Sequence, residues 1–348
     1  MDTAIDTLLQ AARLAPSGDN TQPWNFVASR AENRIQIIGN SARDPSPMNS
    51  GNRMTRIAIG AALENMCQTA EINQWNHSVE YGDDSASLWL EQPYQGSDLD
   101  PAISERVSNR RTYNRQEASP SLIDQLKENV APEGDASACW ITEDDDRKQL
   151  CELIAQADSL MLSNKTIRDA FLEKVRFDQP VDAEVDEGLS LGCLELATAE
   201  RVGMRAMRWI PDRLLKLGGI KRTLRETAFK LATSASGFCV VMCPSEETPG
   251  DYRIGRVFQR AWLEITRQKL ASQPMMSLMV LRNIRENGAP SLNQQLGSES
   301  IKSLLDRFQS LKPLSGNGAP CAMLRYGFAD DPSTRVGRLS IDRMKREN

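Results

Sequence analysis

The sequence is nearly devoid of histidine, with His77 as the only one among its 348 residues. Histidine-rich metal sites and Ser-His-Asp hydrolysis both depend on imidazole groups, so neither chemistry is expected. The seven cysteines are odd in number and scattered, and no two form a Cys-x-x-Cys pair. This pattern favours reduced core thiols in a cytoplasmic protein over a disulfide framework, and it predicts no metal site.

Long apolar runs and an excess of positive charge are also missing, and no leader sequence is expected. No segment approaches the ~18 apolar residues needed to cross a bilayer. Residues 1–4 lack the basic and apolar parts of a signal peptide. Lysine and arginine number 42 against 47 aspartate and glutamate, a net charge of −5, which argues against general nucleic-acid binding. The length suits about two domain-sized units or one fused double unit.

One short stretch, residues 15–25, combines a helix stop, a tight turn and a strand start. Apolar positions in residues 3–14 recur at helical spacing, and Pro16 ends that helix because proline disfavours helical geometry at the preceding residue. The turn is polar and contains glycine, and the next proline pushes Gln22 towards an extended conformation before a strand opens at Trp24. The simplest interpretation is a helix-to-strand loop with a core tryptophan. Such a turn of small residues also lets a ligand approach backbone N–H groups.

Further along the chain, two long helices of similar sequence follow apolar strands. Residues 53–72 predict a central core helix rich in small residues, and residues 252–271 predict a second long helix. Laying 56–68 on 256–268, an offset of 200, gives five identities in thirteen positions. Because repeats decide architecture, we predict an α+β fold of two similar units in tandem. We place the units at 1–100 and 101–348, the second with a helical insert at 194–232.

Shorter elements are predicted from capping residues and apolar patterns. Ser119 followed by Pro120 is an N-cap with proline at the first helical position. An apolar run at 237–243 predicts a buried strand. The other predicted elements are strands at 25–30, 34–38 and 321–328, helices at 101–109, 120–128 and 144–163, and a polar helical region at 276–311.

Two adjacent arginines and a threonine, Arg110, Arg111 and Thr112, precede the helix at 120–128. Two guanidinium groups and a hydroxyl offer several charge-assisted donors to a phosphate dianion. A solvated basic face is the simpler interpretation, because an isolated Arg-Arg-Thr is an unspecific sequence. The spacing by itself leaves both interpretations open.

The turn resembles the signature of the FMN-dependent nitroreductase family, Pro-Ser-x-x-Asn-x-Gln-Pro-Trp after a short helix. The resemblance implies that this turn lies beside the flavin. Asp19 departs from the pattern, since relatives more often carry a neutral or basic residue there. The Arg-Arg-Thr triplet resembles the family's phosphate-binding element, and the last strand with its basic tail is also similar. The implied cofactor-binding residues are Pro16, Ser17, Asn20, Gln22, Arg110, Arg111, Thr112, Glu187, Gly188, Leu189, Arg335 and Arg338.

Some of these implied roles have alternatives. Either Arg335 or Arg338 returns to the phosphate, and the Arg-Leu-Ser-Ile-Asp context favours Arg338. The Glu-Gly-Leu step at 187–189 resembles a segment close to the flavin ring in Acg-like relatives, and it also fits a flexible acidic loop.

The placement of the pieces resembles the Acg-like branch of the family, in which two nitroreductase-like units are fused as a pseudo-dimer. The turn occurs only in the first unit, and the triplet and basic tail occur only in the second. The resemblance therefore implies a monomer in which one chain supplies one complete FMN pocket, while the equivalent second pocket is stripped.

The resemblance implies an FMN-binding oxidoreductase of nitroreductase type that acts on a small molecule, with NAD(P)H as a possible reductant. No catalytic side chain is required, because the flavin N5 carries the two-electron chemistry. The alternative is an FMN-storage or sequestering protein without efficient NAD(P)H turnover. A third interpretation is a module that has lost flavin and binds a membrane surface or a protein.

The helical stretch 201–230 is basic and amphipathic, with a predicted break at Pro211 and at the glycine pair 218–219. Three roles compete: a lid over the core, a grip on the phosphates of a dinucleotide or another anion, and contact with an anionic membrane surface. Because most basic amphipathic helices are packing helices, a lid is the first interpretation.

Overall fold

Two long helices, Arg53–Ile72 and Thr248–Arg267, cross at the centre of the protein with their backbones in contact. A Cβ atom on Gly60 would lie 2.1 Å from a carbonyl oxygen of the facing helix, and one on Gly255 would lie 2.0 Å from such an oxygen. Only glycine permits this approach, because any side chain would push the backbones apart.

The computed structural model describes residues 3–210, 218–244 and 248–346. The two central helices are α2 and α9 of this part of the chain. Its helices are α1 (Ala4–Arg13), α2 (Arg53–Ile72), α3 (Pro101–Glu105), α4 (Pro120–Asn129), α5 (Asp144–Ser163), α6 (Lys165–Lys174), α7 (Thr198–Met207), α8 (Gly218–Ala232), α9 (Thr248–Arg267), α10 (Ser277–Asn287), α11 (Pro290–Leu296), α12 (Ser298–Gln309) and α13 (Ile341–Met344).

The strands form two antiparallel sheets of four strands each, which have the same order. In the first sheet the order is first, second, fourth, third along the chain, and α2 connects the second strand to the third. The second sheet repeats this order, and α9 occupies the same place in it. The strands are β1 (Trp24–Ser29), β2 (Arg34–Gly39), β3 (His77–Tyr81), β4 (Ser85–Leu90), β5 (Ser137–Ile141), β6 (Gly237–Cys243), β7 (Ala271–Pro274) and β8 (Ala319–Gly327).

Contacts across the central helices are reciprocal. Gly60 meets Tyr252 and Gly255 meets Ile57, and the members of the pairs Gly60/Gly255 and Ile57/Tyr252 are each 195 positions apart. The register of the structural equivalence at the crossing is therefore 195, whereas the sequence alignment at 56–68 uses an offset of 200. The sequence offset is wrong at the crossing. Identical residues in two amphipathic helices indicate which positions are buried or exposed, and they do not indicate where the two helices touch.

The polar contacts between α2 and α9 follow the same reciprocal register. The fully buried Glu64 accepts from Arg260 Nε at 2.7 Å. With the offset of 195, Glu64 corresponds to Gln259 and Arg260 corresponds to Asn65. The corresponding pair also forms a hydrogen bond, in which Gln259 Nε2 donates to Asn65 Oδ1 at 2.7 Å. Arg256 adds a further bond to Glu64 at 2.9 Å. A buried carboxylate without these partners would be costly, so the ion pairs fix how the two helices face each other.

Local sequence signals explain where several helices begin. Thr3 and Asp6 form a capping box, in which each side chain accepts from the other residue's backbone N–H. The predicted N-cap at Ser119 is confirmed, because its Oγ accepts from the Leu122 N–H at 3.2 Å. The buried strand at 237–243 is also confirmed, as all seven of its residues are buried.

Several predicted elements need correction. The helix predicted at 101–109 ends at Glu105, and the second central helix begins at Thr248 and ends at Arg267. Residues 271–274 form β7, whose sequence Ala-Ser-Gln-Pro carries no strand pattern. The polar region 276–311 divides into α10, α11 and α12. Helix α8 begins at Gly218, and the break predicted at the glycine pair 218–219 stays a prediction because residues 211–217 lie outside the described part of the chain. The predicted break at Pro211 lies outside the described residues.

Within the described ranges, no helix combines the length and apolar character that a bilayer crossing requires. Six of the seven cysteines are buried, and Cys139 is half-buried.

Candidate functional site

A cavity of about 720 Å³ lies beside the two central helices. The turn after α1 contributes residues 16–20 to its lining, and α2 contributes Ile57, Ala58 and Ala61. Phe258 and Trp262 of α9, together with residues from α5, α6, α7, α8 and α10, also line it. The cavity size is in the range of small-molecule and cofactor sites.

The turn at 17–22 has an unusual backbone. Asp19, Asn20 and Gln22 all have positive φ, at 47°, 57° and 48°. The extended conformation expected for Gln22 is therefore wrong. Ser17 Oγ accepts from the Gln22 N–H at 2.8 Å, which holds the turn closed. Such strain persists only where surrounding contacts determine the conformation.

Asn20 and Gln22 supply those contacts by binding two distant segments. Asn20 Nδ2 lies 3.2–3.3 Å from the carbonyl oxygens of Asp186, Gly188 and Gly337. Gln22 Nε2 donates to the Asp186 oxygen at 2.7 Å, and its Oε1 accepts from the Leu339 N–H at 2.9 Å. The polar side chains of the motif thus hold together the segments around 186–188 and 337–339. Their contact with a cofactor stays a prediction.

The structure separates the members of the Arg-Arg-Thr triplet. Arg110 lines the cavity and donates to the Cys193 carbonyl oxygen at 3.0 Å. Arg111 turns to Glu195, with Nε 3.3 Å from Oε2, and Thr112 is exposed. In non-helical chain, successive side chains point in different directions, so a triplet need not converge on one ligand. Among the described residues of the triplet, Arg110 alone belongs to the lining.

The other predicted site residues are divided in the same way. Pro16, Ser17 and Asn20 line the cavity, as does Leu189, whereas Gln22, Glu187 and Gly188 lie outside the described lining. Arg335 and Arg338 both line the cavity, so the lining does not distinguish between the two tail arginines.

Besides the buried Arg168, two further arginines in the lining, Arg13 and Arg106, are absent from the sequence prediction. Arg106 is 8% exposed, its guanidinium lies 4.5 Å from the centre of the Trp262 ring, and its Nε is buried without a hydrogen-bond partner among the described residues. Neither arginine belongs to a recognisable motif, since each is brought to the cavity by tertiary packing. The one sequence signal for Arg13 is its position at the end of α1, directly before the turn.

Together these arginines form a basic cluster, defined as Arg13, Arg106, Arg110, Arg335 and Arg338. Among the described residues, none of the five forms an ion pair, and their hydrogen bonds go to carbonyl or amide oxygens. Burial and then Arg13 lower the pKa of Arg338 to about 10. Burial, Arg338 and Arg335 likewise lower the pKa of Arg106 well below its usual range. Crowded cations in a cavity favour an anionic ligand, because it would supply the missing countercharge.

Asp19 faces this basic surface. Burial is the main cause that raises its pKa to about 6, and the nearby Asp44 adds to the shift, whereas Arg110 and Lys174 oppose it. A carboxylate here competes with an external anion for Arg110.

Replacing Asp19 with asparagine should therefore stabilise the protein at alkaline pH. Because the pKa of Asp19 is higher in the folded protein than its ordinary value of 3.8, the folded state binds the proton more tightly than the unfolded state does. The resulting stabilisation is fully present below pH 3.8 and is lost as the pH rises through about 6. Asp19→Asn should raise the free energy of unfolding by up to about 3 kcal/mol at pH 8 and change it little at pH 4. Asparagine also tolerates positive φ.

Urea unfolding at both pH values measures this effect, with the exposed Asp145→Asn as the control. An equal change in stability at pH 4 and pH 8 would contradict the prediction.

A second acidic group, Asp158 of α5, lies in a more apolar part of the lining. Burial raises its pKa to about 6, and the Ser277 hydroxyl opposes the shift. The walls of the cavity are rich in methionine, a side chain that adapts to irregular and aromatic ligands. The lining methionines are Met48, Met54, Met161, Met204, Met207 and Met276.

The basic helical stretch partly covers the cavity. Met204 and Met207 of α7 and Leu224 and Leu231 of α8 belong to its lining. The role of this stretch as a lid stays a prediction. Across residues 3–210, 218–244 and 248–346, no group of three or more histidine, cysteine or acidic side chains is placed to hold a metal ion.

No protein-family model matches the chain. The chain is 24% identical over 341 residues to an uncharacterised protein of Mycobacterium tuberculosis, an alignment that covers 94% of this chain and 46% of that protein. The chain thus spans about half the length of this relative.

Solved structures similar to the chain include nitroreductases. The FMN-dependent nitroreductase NfnB from Mycobacterium smegmatis, solved in complex with NADPH, is 17% identical with a TM-score of 0.38, over 71% of this chain and 96% of that one. An FMN-bound nitroreductase from Bacteroides fragilis is 12% identical with a TM-score of 0.35, over 67% and 90% of the two chains. One from Desulfitobacterium hafniense, also with bound FMN, is 12% identical with a TM-score of 0.36, over 72% and 100%. None of these similarities is high enough to assign the chain to a family.

Proposed function

We propose that the chain binds FMN in the cavity and is a flavin-dependent oxidoreductase of nitroreductase type. The observation that carries the proposal is the basic cluster. Its five arginines line one cavity without an ion pair among the described residues, next to the turn that carries the family-like motif. A phosphate dianion would match this charge, and several guanidinium donors can bind its oxygens at once.

The residues present fit FMN in chemistry as well as in charge. The buried Nε of Arg106 lacks a hydrogen-bond partner within the described chain and is available to an acceptor. Arg110 and Arg338 would hold the phosphate, and the turn around Ser17 would border the ring system. When bound, the flavin supplies two-electron hydride chemistry. The protein's own residues bind the phosphate, restrict access of water and position the substrate.

We further propose that the protein is a fused pair of nitroreductase-like units that acts as a monomer. The equal strand order of the two sheets and the reciprocal contacts of α2 and α9 support this arrangement. The turn near Ser17 and the guanidinium of Arg110, which come from the two predicted units, line the same cavity. One chain would then supply one complete pocket.

A mixing experiment tests whether the pocket is built within one chain. A chain with Ser17 and Asn20 replaced by alanine is combined with a chain in which Arg110 and Arg338 are replaced. If the pocket is intramolecular, the mixture should bind no more FMN than the separate variants. Recovery of binding in the mixture would contradict a monomeric pocket, because two chains would then be complementing each other.

The alternative function is FMN storage or sequestration without efficient NAD(P)H turnover. It is favoured by the four apolar side chains of α7 and α8 in the lining, since a covered cavity would hinder the approach of a nicotinamide. NAD(P)H oxidation with menadione as acceptor separates the two functions. Steady turnover by the FMN-loaded protein supports the oxidoreductase. Reduction by dithionite without NAD(P)H turnover supports storage.

A further inference from the structure

The exposed sides of α7 and α8, two helices that both line the cavity, are basic, in contrast to the molecule as a whole. These exposed sides are called the outer face below. Five cationic side chains, Arg205, Arg208, Lys221, Arg225 and Lys230, are exposed here, and Arg222 is exposed beside them. Glu226 neutralises Arg222 by an ion pair at 2.7 Å, and the remaining cations on this face lack such a partner among the described residues. The full sequence has a net charge of −5. The positive charge is therefore concentrated on this face, in a protein whose net charge is negative.

The same face exposes large apolar side chains. Ile72, Val202 and Trp209 are the large hydrophobic residues exposed in the described part of the chain, at 55%, 61% and 80%. Two of these three lie on α7 or just after it. Single exposed hydrophobic residues are common, but an indole beside several cations is the composition of a membrane-interface segment.

The two faces of α7 are separated by helical spacing. Met204 and Met207 point to the cavity, whereas Val202 and Arg205 lie on the exposed side, followed by Trp209 in the turn after the helix. The apolar face of this amphipathic helix therefore borders the cavity, with Met204 and Met207 half-buried. The exposed tryptophan and valine are additional to the packing surface, so packing gives no reason for them.

We propose that the outer face of α7 and α8 docks on an anionic phospholipid surface. Its cations are attracted to anionic headgroups, and Trp209 and Val202 enter the interfacial region, where an indole ring is favoured. The inner side of the same helices lines the cavity, so docking brings the cavity next to the bilayer. The proposal goes beyond flavin binding and does not depend on what occupies the cavity.

Vesicle sedimentation tests the proposal on the full-length protein. Vesicles of phosphatidylglycerol and phosphatidylcholine should bind it at about 0.15 M salt, vesicles of phosphatidylcholine alone should not, and 1 M salt should release it. Changing Arg205 and Arg225 to glutamine should weaken binding about 25-fold, since each cation near an anionic surface contributes about 5-fold. The matched control changes two exposed lysines of α5 and α12, Lys148 and Lys302, to glutamine and should alter binding less than 2-fold.

A second variant tests insertion separately from charge. Brominated phosphatidylglycerol should quench the tryptophan fluorescence of the wild type, and Trp209→Phe should remove that quenching while keeping far-UV circular dichroism unchanged. Absence of binding to anionic vesicles would overturn the proposal, as would equal binding to neutral vesicles. Binding to poly-glutamate without binding to vesicles would also overturn it, because the face would then recognise an acidic protein.

Discussion

Replacing Gly60 with alanine should strongly destabilise the protein, because the new methyl group would collide with the backbone of α9. Its Cβ would lie 2.1 Å from the Tyr252 carbonyl oxygen and 3.0 Å from the Gly255 Cα. Neither atom belongs to a flexible side chain, so the helices would have to separate along their buried interface. Overpacking in a core typically costs 1–3 kcal/mol, and we expect a loss of at least about 3 kcal/mol here.

Urea unfolding followed by circular dichroism measures the loss. Gly203→Ala is the matched control, because a Cβ at this helical position meets no atom within 4 Å in the described structure. The control should be neutral or more stable by up to about 1 kcal/mol, as alanine favours helix over glycine. If the Gly60→Ala variant were as stable as the wild type, the result would contradict the close crossing of α2 and α9.

The second large effect concerns phosphate recognition by Arg110. Arg110→Ala should weaken FMN binding about 10- to 100-fold, since a charge-assisted hydrogen bond contributes about 1.5–3 kcal/mol. Riboflavin, which lacks the phosphate, should bind the variant and the wild type with similar affinity. Fluorescence titration of both ligands measures the difference.

The neighbouring Arg111 provides the control in the same segment. Its guanidinium pairs with Glu195 and lies outside the described cavity lining, so Arg111→Ala should change FMN affinity less than about 3-fold. Equal weakening of FMN and riboflavin by Arg110→Ala would remove Arg110 from the phosphate site. A larger FMN-specific loss for Arg111→Ala would show that Arg111 binds the phosphate, a role that the sequence predicts for both arginines of the triplet.

The sequence predicted elements best where a local pattern determines them. Helix α2 is long and largely apolar, and β6 is a continuous apolar run, so both were located correctly. Strand β7 was missed because its pairing with β8, not its own residues, makes it extended. The helix predicted at 101–109 ends at Glu105, because the backbone of Arg106 (φ −55°, ψ 124°) is not helical.

For the candidate site, the sequence predicted which segments come together more reliably than it predicted which side chains face the cavity. The turn and the basic tail do meet, because Asn20 binds the Gly337 carbonyl oxygen and Arg338. The direction of consecutive side chains cannot be read from the triplet, and Arg111 indeed diverges from Arg110. Arg106 was missed because its place in the cavity arises from tertiary packing against Trp262.

The central claim is that one chain builds one FMN pocket, and a titration of the monomeric protein with FMN tests it most directly. Size-exclusion chromatography with light scattering would first establish the monomer, and flavin absorbance would then give the bound FMN per chain. One intramolecular pocket should saturate at one FMN per chain and show the visible absorption bands of bound flavin. A monomer that stays colourless and takes up no FMN would contradict the claim, and two FMN per chain would contradict the single pocket.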